Sequence, residues 1–217
     1  MIGDKIPVTV LSTQMIPNAD EAMVKELGLG PNIRSLGIIT ADCDDVTYIA
    51  LDEATKKAQV EVVYGRSMYA GAGNASTKLS GEVIGIIAGP TPAEVRSGLE
   101  AAVQFIENDV TFISANDDDS IVYLSHVVSR TGSYLSETAN VPEGEAIAYL
   151  IAAPGEAIVA IDAALKSADV TMGTFFAPPS ETNFAGALLT GSQSACKAAC
   201  DAFADAIIRV ASNPREI

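Results

Sequence analysis

Apolar residues recur along the chain at two spacings, and the two alternate. Residues 35–40 (SLGIIT) form a short β-rich run; from about 46 to 58 the apolar positions Ile49, Leu51 and Ala54 mark a helix. Residues 60–64 read as a strand, and residues 82–88 (EVIGIIA), bounded by Gly81 and Gly89, read as a buried one. Thr91, Pro92 and Glu94 then form a capping box with proline at the first helical position. Val95, Leu99, Ala102, Val103 and Ile106 fall on one face of the helix this box opens.

The same succession is written a second time. AIAYLIA at 146–152 is followed by a helix over 157–168, then DVTMGTFF, FAGALLT and a last helix after Gly191. The apolar face of that helix carries Cys196, Ala199, Cys200, Phe203, Ile207 and Val210. In the overlay, Ala50, Asp52, Ala54, Lys56, Ala58 and Val60 match the residues 110 positions later, Ala160, Asp162, Ala164, Lys166, Ala168 and Val170. Gly89 matches Gly191 at an offset of 102, so the hairpin connection is eight residues shorter in the second round. Each round also has its own leading segment: residues 7–15 with a helix near 19–27, and residues 111–115 with 121–129.

A strand–helix–strand–strand–helix order with an extra leading strand predicts an α+β fold of ferredoxin-like type, with both helices on one face of an antiparallel sheet. The repeat predicts two such domains, at residues 1–109 and 110–217.

Composition narrows the function classes. With 48% apolar and only 19% charged residues, the chain is more apolar than a lone domain of this size requires, which points to surface buried against partner subunits. A net charge of −15 with no Lys/Arg run argues against a nucleic acid and for a cationic or neutral ligand. Three cysteines, and an N-terminus without a secretory pattern, predict a reduced cytosol. The longest apolar runs fall far short of the ~20 residues of a membrane span, so no membrane partner is expected.

No catalytic signature is present: no nucleophile elbow, phosphate loop or HExxH, and Gly71 and Gly73 lack the third glycine of a dinucleotide site. No enzyme activity and no cofactor are expected. Nor is a metal: Cys196 and Cys200 lie four apart on one helix face without further ligands, His126 is the one histidine, and Asp117–Asp119 lack the spacing of a calcium loop.

Two segments stand out as candidate sites. Tyr69, Ala70, Gly71, Gly73, Asn74, Ser76 and Thr77 belong to a glycine-rich loop that composition alone reads equally as a hairpin tip or a moving element. Asp42, Asp44 and Asp45 precede the first helix, where carboxylates favour the positive helix end and cap its free N–H groups.

The segments IRSLGIITADCDDVTYIALDEATKKAQVEVVYGRS, SHVVSRTGSYL, IDAALKSADV, PPSETN and LTGSQSACKAAC together resemble the shell-protein domain of bacterial microcompartments. The likeness is to its circularly permuted, tandem-domain type, because residues 126–130, which normally end that domain, here precede the second round. It extends to members from the ethanolamine-utilization microcompartment.

The resemblance implies a homotrimeric, pseudo-hexagonal tile in a cytoplasmic microcompartment shell, packed edge to edge with neighbouring shell proteins. It implies a central pore gated by the glycine-rich loop together with Ser180, Glu181, Thr182, Asn183 and Phe184, passing small metabolites or a large cofactor. Under that reading Asp45 and Glu82 form a small site for a protonated amine, ethanolamine, whose N–H and hydroxyl groups two carboxylates can satisfy. The competing reading is a soluble, oligomeric sensor of small amines that builds no shell.

Overall fold

A computed structural model of the chain describes residues 1–68, 82–178 and 184–215. The elements are β1 (Lys5–Ile6), β2 (Val10–Ile16), α1 (Glu21–Glu26), β3 (Ser35–Ala41), α2 (Asp44–Lys57), β4 (Glu61–Ser67), β5 (Val83–Gly89), α3 (Pro92–Asn108), β6 (Phe112–Ser114), β7 (Val122–Val128), α4 (Ser133–Ala139), β8 (Ile147–Ala152), α5 (Pro154–Ser167), β9 (Val170–Phe176), β10 (Ala185–Gly191) and α6 (Gln193–Ser212). They form two compact units, one of residues 8–110 and 132–135, the other of residues 1–7, 111–131 and 136–217. All strand pairings are antiparallel.

The first unit holds a four-stranded sheet in the order β2-β3-β5-β4. Side chains alternate across it. Gly37, Ile39, Gly85 and Ile87 face α2 and α3; a Cβ at Gly85 would stand 2.6 Å from Leu51 Cδ1, so this glycine lets α2 settle close to the strand. Leu36 and Ile86 face the opposite way, where Val24 and Leu27 at the end of α1, with Leu29 and Ile33, build a smaller apolar cluster. The expectation of helices on one face therefore holds for α2 and α3, while α1 covers part of the other.

The second unit repeats this order as β7-β8-β10-β9 and adds β6 and β1 beyond β7. Its core lies between β8, β10, α5 and α6, where Phe203 is fully buried among small residues such as Ala148, Ala160 and Ala187. The two rounds agree in detail: the β4–β5 ladder shifts register between Val62 and Tyr64, the β9–β10 ladder between Leu188 and Leu189, opposite Met172 and Thr174. Both bulges thus fall at the same place in the repeat.

The capping box is half made. Thr91 Oγ1 accepts from the Glu94 N–H at 3.2 Å, but the Glu94 carboxylate turns away and accepts from the Gln59 N–H at 2.6 Å, tying the start of α3 to the end of α2. Helix α4 had no counterpart among the expected elements.

Candidate functional site

Helix α2 begins at the edge of the four-stranded sheet with three acids. Its N-cap, Cys43, makes no side-chain cap. Asp42 does not cap the helix either: its Oδ1 accepts from the Thr9 N–H at 2.7 Å, beside the start of β2. Asp44 Oδ1 accepts from the Asp45 N–H at 2.9 Å, and Asp45 is buried in the first turn. Of the three acids expected to cap the helix, Asp44 takes an N–H of the first turn, while Asp42 is drawn off to a backbone donor outside the helix.

Glu82 sits at the base of the connection between β4 and β5. Its N–H donates to the Ala41 carbonyl at 2.8 Å and its carbonyl accepts from Met68 at 2.5 Å, extending the ladder by a residue. Its side chain is exposed, not buried with the apolar strand it precedes. Partial burial, then the carboxylates of Asp44 and Asp42, push the Glu82 carboxyl above its ordinary range. Burial and the Asp45 carboxylate push the Cys43 thiol up as well. This corner is therefore a concentration of negative charge held against its own repulsion.

Of the residues expected to form a gate, Tyr69, Ala70, Gly71, Gly73, Asn74, Ser76, Thr77, Ser180, Glu181, Thr182 and Asn183 lie outside the described residues. Phe184 is described, with its ring 5.7 Å from that of Phe112 in the same unit. Cys196 and Cys200 are buried in the core, and burial pushes the Cys200 thiol up to about 11, away from the thiolate a metal requires. Among the described residues no group of three or more His, Cys, Asp or Glu is placed to hold a metal ion, and no helix is long and apolar enough to cross a membrane.

One buried acid had not been singled out as a site. Asp52, in the middle of α2, is fully buried; its Oδ2 accepts from the Gly132 N–H and its Oδ1 from the Leu135 N–H, both at 2.8 Å. Lys56 Nζ lies 3.4 Å away. The neighbouring Thr55 hydroxyl accepts from the Ser133 N–H at 3.3 Å. One carboxylate thus satisfies two donors at the start of α4, a helix end built by a residue 80 positions upstream. Asp162, its counterpart in the repeat, is 63% exposed and, among the described residues, pairs with Lys166 on its own helix, at 2.6 Å. The shared letter hid the difference.

A family model for the BMC domain matches residues 35–116. The bacterial microcompartment shell protein EutL of Clostridium perfringens is 70% identical over 214 residues, covering 99% of each chain. The chain belongs to the bacterial microcompartment shell proteins. A second shell protein, EutL of Salmonella typhimurium, is 57% identical over 97% of this chain and 96% of its own. The crystal structure of the ethanolamine utilization protein EutL from Leptotrichia buccalis matches with a TM-score of 0.97 at 67% identity over the whole of both chains. As a microcompartment shell protein the chain has a structural role, not a catalytic one, and the twice-written strand order is the shell domain in tandem.

Proposed function

We propose that the chain is a shell tile of an ethanolamine-utilization microcompartment, in which three copies close into a pseudo-hexagon around a gated pore. The observation that carries this is the repeat itself: β2-β3-β5-β4 and β7-β8-β10-β9 are one design used twice in one chain. Along the sequence the two domains divide at residues 1–109 and 110–217, although residues 1–7 belong to the compact unit of the second round and residues 132–135 to that of the first. Six similar units in a trimer fill a plane, while the two rounds remain free to differ. They differ at the hairpin connections: β4 and β5 are joined through residues 68–82, β9 and β10 through residues 177–184. These connections surround the pore and gate it. Electron microscopy of the concentrated protein yields flat hexagonal arrays; discrete particles only would favour the amine sensor.

The acidic corner at Asp45 and Glu82 binds ethanolamine as its protonated amine, and binding favours one state of the adjoining connection. A cation there offsets what raises the Glu82 carboxyl, its partial burial and then the carboxylates of Asp44 and Asp42. The sign follows. A carboxyl raised in the folded state holds its proton to higher pH, so amine affinity is full above the raised value and is lost as pH falls through it. Calorimetry should give at least a tenfold weaker affinity for Asp45→Ala and Glu82→Ala. Unchanged affinity in both removes the site and leaves the tile standing.

A further inference from the structure

The repeat extends into the leading segments. Setting Ile16 on Val128 places α1 on α4, Ala19 on Thr131, Asp20 on Gly132, Ala22 on Tyr134 and Met23 on Leu135. Gly28 falls on Asn140, and both take the left-handed turn that ends a helix, at φ 64° and 55°. At the 110-residue offset, Tyr48, Ile49, Asp52 and Gly65 correspond to Ile158, Val159, Asp162 and Phe175.

In the first round this surface is covered. Residues 132–135 lie on α2: Leu135 and Ile49 are buried, the rings of Tyr134 and Tyr48 stand 6.2 Å apart, and a Cβ at Gly65 would come within 2.7 Å of Tyr134 Oη. In the second round both halves of the equivalent contact are bare. Met23, Ile158, Val159 and Phe175 are between 41% and 45% exposed.

The two halves also match in size. Where Tyr134 meets Gly65, a large residue fills the space a missing side chain leaves; the corresponding pair is Ala22 and Phe175, with large and small exchanged. Polar groups match too. Gly132 and Leu135 need the Asp52 carboxylate, whereas Asp20 caps its own helix by accepting from the Ala22 N–H at 2.9 Å, so Asp162 is left to Lys166.

We propose that α1 of a second copy of this chain covers α5 and β9, with Ala22 and Met23 seated against Ile158, Val159 and Phe175. The contact joins two different faces, so it is heterologous and propagates from copy to copy until the ring closes. The proposal rests on the trimer reading and names the surface that holds it together.

Its test combines sedimentation with cross-linking. Ile158→Glu, Phe175→Glu and Met23→Glu change exposed residues and should leave the circular dichroism of the fold intact, while each weakens self-association at least tenfold. A chain carrying both Ala22→Cys and Ile158→Cys, treated with a short bismaleimide, should run as a ladder ending at three chains, which neither single variant gives. Wild-type protein that is trimeric, insensitive to all three glutamates and without a ladder overturns this surface and spares the trimer. Wild-type protein that sediments as a monomer overturns both.

Discussion

Replacing Asp52 with alanine should lower the stability of the fold by about 3 kcal/mol, seen as a fall in the urea midpoint at unchanged slope. The substitution removes the acceptor of two buried N–H groups, those of Gly132 and Leu135, and takes from Lys56 the farther of two carboxylates, Asp52 at 3.4 Å, leaving Glu53 at 2.6 Å. Each stranded donor costs about 1–3 kcal/mol, so even partial relaxation leaves a large loss. Asp52→Asn keeps one acceptor oxygen and turns an NH2 toward the other donor, so it should lose less than alanine but remain clearly destabilised. The same change at the matching position, Asp162→Ala, should lower the stability read from the urea midpoint by less than about 0.5 kcal/mol, because an exposed i,i+4 pair contributes little. Equal effects at the two positions would contradict the assignment of Asp52 as the anchor of α4.

Gly132→Ala should cost about 2–3 kcal/mol through overpacking. An added methyl would stand 2.2 Å from Thr55 Oγ1, 2.8 Å from the Asp52 carbonyl and 2.9 Å from Asp52 Oδ1. The first of these can be removed and the second cannot. Thr55→Ala in the same chain should therefore restore part of the loss, a coupling that a double-mutant cycle reads directly. If Gly132→Ala were neutral in urea, the close seating of this segment on α2 would be wrong.

Long periodic segments were legible from the residues alone. Helices α2, α3, α5 and α6 and their strands follow from apolar spacing, and their edges shift by only a few positions, as with α2 beginning at Asp44 and not at Val46. Helix α4 was not legible, because GSYLSETA is short, mostly polar and opened by glycine, and its start is satisfied by a carboxylate far away in sequence. Local propensity carries no trace of such a partner. Glu94 makes the same point from the other side: the spacing of the capping box was right, yet the side chain found a better donor at Gln59. At the acidic corner the residue types were visible but not their division of labour. Asp42 serves the backbone of Thr9, and Glu82 stands at the end of a ladder, exposed where the apolar strand it precedes is buried.

The distance in sequence between Asp52 and its donors sets an order of events during synthesis. When residues 8–110 have left the ribosome, the carboxylate at the middle of α2 still lacks its two N–H donors, and the surface of Tyr48 and Ile49 that residues 132–135 cover stays open until they emerge. The early half of the nascent chain thus waits, sticky on one side, for a latch encoded in the later half.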